Sequence, residues 1–184
     1  MDVQLNKKQK NNSLAMTLLK GRTFIVLALL LVFFSLATPN FLSANTMLLL
    51  AKHVALYGIL AIGMTYVIIT GGIDLSVGAV VGLGGMIAGG MIQNGVTLQA
   101  FGVTLYFDVP LVVCFTILVG AFIGWLNGII ITKFGVAPFI ATLGTMYIAR
   151  GFAMLHSSGA TYSNIIGNEA LGNAGFTFFG SRVL

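Results

Sequence analysis

From residue 22 onward the chain is a succession of long apolar stretches separated by short polar or glycine-bearing breaks. Five of the stretches predict membrane-crossing helices, each close to the roughly 20 apolar residues that a span needs. The first, about 22–38, ends at "TPNF", where Pro39 cannot continue a helix. The second, about 44–70, carries Lys52 and His53 near one end, where a long side chain reaches the interface. The third, about 75–93, is glycine-rich and opens on "GGIDLSVG". A polar and aromatic stretch follows, "QNGVTLQAFGVTLYFD" (93–108), whose alternation predicts a short hairpin lying on the membrane surface. The fourth span, about 109–132, starts at Pro110, which the first turn of a helix tolerates. After the short return "KFGVAP" comes the fifth, about 137–155. Residues 156–184 are polar and glycine-rich and predict no span.

Composition agrees with that pattern. The chain is 58% hydrophobic and only 7% charged, with mean hydropathy +1.02, whereas soluble domains run near a quarter charged. The expected fold is an all-α, polytopic integral membrane bundle. Three regions are expected: a cytoplasmic basic tail (1–21), a transmembrane body (22–155) and a polar tail (156–184). The stretch "SLAMTLLKG" in the first region has the outline of a short amphipathic piece.

Charge sets the orientation. Five of the nine Lys/Arg (Lys7, Lys8, Lys10, Lys20 and Arg22) precede the first apolar run, and basic residues flanking a first span stay in the cytoplasm. The N-terminus is therefore expected inside, the turns at 71–74 and 133–136 inside, and the tail outside. Lys133 agrees with this, Arg182 dissents mildly, and Arg150 lies within a span near its outer end. No aromatic or folded module accompanies the basic residues, so no nucleic-acid partner is expected. A basic region before an apolar run also outlines a signal peptide. Here "FIVLALLLVFFSLA" is long and further spans follow, so a retained helix is expected. Cys114 is the single cysteine and carries no redox information.

Much of the glycine recurs at intervals of four: Gly78/Gly82, Gly85/Gly89 and Gly120/Gly124/Gly128. That spacing puts a smooth surface on one helix face and predicts close helix packing. Gly71-Gly72 is different, because it falls between two apolar segments and is followed by Asp74 and Ser76. An Asp accepts backbone N–H groups at a helix start, and the positive end of the helix dipole favours its charge. The stretch reads as a break, a cap at Asp74 and a new helix. The break has two candidate placements, at the cytoplasmic interface or within the membrane lining a polar cavity. Gly71, Gly72, Asp74, Ser76 and Asn127 are the candidates for a substrate pathway or helix break. Asn127 reads equally as interhelical glue. Thr142 and Thr145 can satisfy their own helix carbonyls and carry little signal, and Trp125 reads as a core or interface aromatic.

Several chemistries are not encoded. There is no phosphate-binding GxxxxGK[ST] loop, no metal-ligand spacing and no Ser-His-Asp set or carboxylate pair. No metal, cofactor or catalytic residue is expected in this chain.

Two blocks carry a resemblance. "GMTYVIITGGIDLSVGAVVGLGGMIAGG" (63–90) and "GAFIGWLNGIIITKFGVAPFIATLGTMYIARG" (120–151) resemble consecutive signatures of the permease subunits of bacterial ABC importers for monosaccharides, a group that includes autoinducer-2 carriers. "TPNFLSANTMLLLAKHVALYGILAIGMT" fits the approach to the first block, and the likeness covers roughly 24–180. The resemblance implies a pore-forming subunit in the bacterial inner membrane. It further implies a second permease copy, cytoplasmic ABC ATPase subunits that bind the ATP, and a periplasmic or lipid-anchored sugar-binding protein that delivers the monosaccharide. Members of the group have two related halves, so the chain is expected to be the N-terminal one, short of the loop that docks on the ATPase. "GNEALGNAG" near residue 167 only superficially resembles that loop. Without the resemblance, a secondary transporter or channel half with a broken-helix site at Gly71–Asp74 is the alternative. A fragment that merely inserts is a third reading.

Overall fold

The computed structural model describes residues 21–163 and 165–176. The basic tail through residue 20, most of its amphipathic stretch and residues 177–184, including Arg182, lie outside the described residues. Within them the elements are α1 (Arg22–Ala37), α2 (Ala44–Ile69), α3 (Val77–Gln93), the strands β1 (Val96–Leu98) and β2 (Val103–Leu105), α4 (Val109–Phe134), α5 (Pro138–Ser157) and a 3-10 turn at Glu169–Leu171. Each helix begins and ends within two residues of the stretch that predicted it.

Three helices, α2, α4 and α5, are long and apolar enough to cross a membrane; α1 and α3 are apolar but shorter. At 16 and 17 residues they reach only about 24–26 Å, against a hydrocarbon core of roughly 30 Å. With its one small hairpin, the chain is an all-α, polytopic membrane protein.

The chain divides into two compact units at Leu56 and Tyr57, within α2. In the first, the turn after α1 is organised around Pro39. Phe34 stacks on Phe41 with ring centroids 6.0 Å apart, and Thr46 Oγ1 donates to the Asn40 carbonyl at 3.0 Å. Thr46 N–H donates to Ser43 Oγ, which satisfies one of the free donors at the start of α2.

In the second unit α3 packs along both α4 and α5. One core cluster joins Ala79 and Leu83 of α3 to Ala149 of α5, with Val80, Ile87, Ile123, Met146 and Ala153 packed around it. Another joins Met91 and Ile92 to Val112, with Phe107, Ile165 and Phe176 against it. These pairings fix the directions. The start of α3 lies by the start of α5 and the end of α4, while its end lies by the start of α4. So α3 and α5 run parallel and α4 runs against both, the alternation expected of consecutive spans.

The stretch after α3 folds as the alternation predicted. Val96 pairs with Leu105, Thr97 with Thr104 and Leu98 with Val103, antiparallel. Thr97 and Thr104 share a hydrogen bond at 3.1 Å. The polar tail is no random appendage where it is described. Asn173 is only 1% exposed; its Nδ2 donates to the Ile92 carbonyl at 2.7 Å, and its Oδ1 accepts from Asn168 N–H at 2.7 Å. The "GNEALGNAG" stretch thereby satisfies a carbonyl at the C-terminal end of α3 that the helix leaves open. Its place is at the end of the bundle away from residues 71–76.

Candidate functional site

The break between α2 and α3 is built by two glycines with separate tasks. Gly71 ends α2 at φ +75, a conformation that other residues reach only at a cost of about 1–2 kcal/mol. The Gly72 N–H then closes the helix end on the Val67 carbonyl at 3.0 Å. A Cβ on Gly72 would lie 3.2 Å from Val67 Cγ1 and 3.3 Å from its carbonyl oxygen, so a side chain there would have to push Val67 aside by a few tenths of an ångström. Residues 72–76 have no regular secondary structure, and α3 starts at Val77.

The sequence expected Asp74 to cap α3, but the structure moves that position on by two. The N-cap is Ser76, which makes no side-chain cap bond of its own. Asp74 Oδ1 instead accepts both the Ser76 N–H at 2.7 Å and the Ser76 hydroxyl at 2.6 Å. A carboxylate two residues before a free N–H closes a tight Asx turn, and this local bond outcompetes reaching into the first turn of the helix.

From Ser76 the polar contacts run inward. Asn127 Nδ2 of α4 donates to Ser76 Oγ at 3.3 Å, and Thr145 Oγ1 of α5 donates to Asn127 Oδ1. Every donor in the series Thr145, Asn127, Ser76 points toward the Asp74 carboxylate, the arrangement in which successive hydrogen bonds polarise one another. Ser76 is 2% and Asn127 6% exposed. Asn127 lies seven residues before the end of α4, about 10 Å along the axis. The start of α3 is therefore well inside the level at which α4 ends.

A second anchor holds the segment before α3 from the side. Thr142, 2% exposed, accepts the Leu75 N–H at 3.2 Å. Its own proton faces the Pro138 carbonyl at 2.8 Å, with the Ile73 carbonyl at 3.2 Å. Thr142 and Thr145 thus do more than satisfy their own helix. Nothing in the local pattern signals this, because the partners lie far away in sequence. Thr142→Val keeps the shape and removes the acceptor, so a loss of about 1 kcal/mol is expected, read as a lowered unfolding midpoint in detergent. An unchanged midpoint would show that the anchor is idle.

Four of the five pathway candidates lie in this arrangement, and three of them line one cavity. It measures about 450 Å³ and is walled by Gly72, Asp74, Thr70, Asn127, Gly124 and Gly128, closed further by Thr132, Pro138 and Thr142. The volume is in the range of small-molecule sites. Gly71 forms the turn and Ser76 the link behind the wall.

Among the glycines spaced by four, Gly89 is the one pressed close by a neighbour within the described residues. A Cβ on Gly78, Gly82, Gly85, Gly124 or Gly128 would meet nothing within 4 Å, and one on Gly120 only Val80 at 3.9 Å. The close approaches are at Gly84, 3.0 Å from Thr116 Cγ2, at Gly89 against Tyr162 and at Gly90 against His156. Spacing by four identifies a smooth helix face but not what lies against it. Here Gly124 and Gly128 line the cavity just described. Gly78 and Gly82 line another of about 410 Å³, beside Met86 and the exposed Arg150. Trp125 lies on an exposed face, stacked on Phe122 at 5.9 Å. Among the described residues no group of His, Cys, Asp and Glu could hold a metal ion.

Residues 46–181 match the family described as "Branched-chain amino acid transport system / permease component". The chain is 38% identical over 177 residues to the ribose import permease protein of Bacillus subtilis, covering 96% of this chain and 50% of that one. It is 35% identical over 155 residues to the ribose import permease protein of Haemophilus influenzae, covering 84% and 45%. To the autoinducer 2 import system permease protein of Photorhabdus laumondii it is 38% identical over 146 residues, covering 77% and 40%. The chain spans about half the length of the curated relatives it matches. No solved structure matches it.

Proposed function

The chain belongs to the branched-chain amino acid transport system permease family, and on that premise we propose that it forms the translocation path of an ATP-driven monosaccharide importer. The observation that carries the substrate class is the identity of 35–38% to proteins named as ribose import permeases. Another relative is named as an autoinducer 2 import permease. The site suits a monosaccharide. A cavity of about 450 Å³, lined mostly by apolar groups, carries the Asp74 carboxylate, the Asn127 amide and three threonines on a wall thinned by glycine, groups that hydrogen-bond a neutral polyol.

In this reading the chain is a non-catalytic subunit without a cofactor. ATP is bound by separate cytoplasmic ATPase subunits, a second permease copy completes the pore, and a binding protein delivers the sugar on the far side. The location is the bacterial inner membrane. The non-helical segment Gly72–Ser76 is held in place by side chains of α4 and α5 rather than by a helical ladder, as in the broken helices that line transport paths.

The test is uptake of a panel of labelled monosaccharides by cells carrying the chain in a complete transporter, with its ATPase and binding protein. Uptake of at least one sugar, lost when ATP hydrolysis is blocked, is expected. Uptake that survives that block and follows a sodium or proton gradient would identify a secondary transporter instead. Orientation is tested separately. A reporter fused to residue 1 that is active only in the cytoplasm is expected from the basic flank, and periplasmic activity would invert the topology.

A further inference from the structure

The β1–β2 hairpin is two-faced. Val96 pairs with Leu105 and Leu98 with Val103, and side chains alternate across a strand, so these four share one face. The intervening Thr97–Thr104 pair occupies the other. All four apolar residues are exposed, and Phe101 at the turn is 78% exposed. An isolated two-stranded hairpin with a bare apolar face is marginal in water. The face needs an occupant.

Three observations point to lipid. The hairpin is tied at both ends to membrane helices, with α3 ending at Gln93 and α4 starting at Val109. The hairpin therefore lies at the level where those two helices end. Residues 93–107 carry no Asp, Glu, Lys or Arg, whereas a loop built to meet water or a soluble partner would carry charge. Phe101 is the exposed aromatic of this stretch, while Phe107 packs inward against the Met91, Ile92 and Val112 cluster, and aromatic side chains are enriched at the headgroup level.

We propose that the hairpin is a membrane-surface element, with Val96, Leu98, Val103, Leu105 and Phe101 seated in the headgroup–acyl boundary of the adjacent leaflet and the threonine face turned to water. Its occupant is phospholipid, not a second copy of the chain or a delivery protein. The hairpin then fixes how deep α3 and α4 sit, and does so whatever the solute carried.

Single-tryptophan variants test this face by face. In a Trp125→Phe background, Leu98→Trp and Thr97→Trp are each reconstituted into phosphatidylcholine vesicles brominated either near the head or near the methyl end of the acyl chain. For Leu98→Trp, most of the emission is expected to be lost to shallow bromine, little to deep bromine and little to acrylamide in the water. Thr97→Trp should show the reverse order between shallow bromine and acrylamide. Phe101→Trp repeats the first reading at the turn, should Leu98→Trp fail to fold. Equal quenching on both faces, or acrylamide access at Leu98, would overturn the proposal. So would copy-to-copy disulfide formation by Phe101→Cys in a Cys114→Ser background.

Discussion

Replacing Asp74 with alanine is expected to cost the protein about 2–4 kcal/mol, because it strips two hydrogen bonds from one residue at once. Ser76 donates both its N–H and its hydroxyl to Asp74 Oδ1, and Ser76 is buried, so the N–H is left without a partner. The hydroxyl loses its acceptor too, and the series from Thr145 through Asn127 then has no terminus. The start of α3 should loosen, seen as a lowered unfolding midpoint and reduced abundance in the membrane. Asp74→Asn separates charge from shape. Its amide oxygen still accepts both bonds, so abundance should stay near normal. Sugar uptake by the complete transporter should nonetheless fall about tenfold, equivalent to about 1.4 kcal/mol, because the cavity wall loses its only carboxylate. Uptake at the wild-type level in Asp74→Asn would confine the residue to holding the turn.

Gly167→Val should release the polar tail from the end of α3. Gly167 sits at φ +75, which costs a β-branched residue at least the roughly 1–2 kcal/mol of the left-handed region. The new Cβ would also overlap the backbone carbonyl of Asn173, which has no flexible end to swing away. Together these suggest a loss of about 3 kcal/mol or more. The bond between Asn168 N–H and Asn173 Oδ1 spans the same turn, so the whole clamp opens with it. The expected readout is rapid proteolysis within 158–176, with the transmembrane helices intact. Asn173→Ala should give the same pattern, since it frees the Ile92 carbonyl directly. A tail as resistant as wild type in both variants would show that other contacts hold it.

Much of the fold was legible because lipid imposes a simple rule: a long apolar run must be a helix. All five runs, the hairpin at 96–105 and the break at Gly71-Gly72 follow from pattern and turn chemistry alone. Contacts between distant segments were less legible. Asp74 was recognisable as an acceptor near a helix start, but its exact partner depended on whether a two-residue turn or a full cap closes first. Thr142 reads as a helix residue satisfying itself, and only the fold brings Leu75 against it. The glycines at 78, 82, 124 and 128 mark smooth faces, yet smoothness serves a cavity wall as well as a helix contact. Gly84 and Gly90, where neighbours do press close, belong to no interval of four that singled them out. The membrane class, the permease resemblance and a hairpin at the membrane surface were readable from the sequence, whereas which residues share the hairpin's apolar face needed the strand register.

The shortness of α3 has a bearing on how the protein is made. A segment of 17 residues, preceded by an acidic residue, is a weak signal for entry into the bilayer, since a span needs roughly 20 apolar residues. Its neighbours α2 and α4, at 26 residues each, are strong ones. Biogenesis should therefore commit the long helices first and seat α3 last. Its leading strand then folds inward only once Asn127 and Thr142 have arrived to receive it.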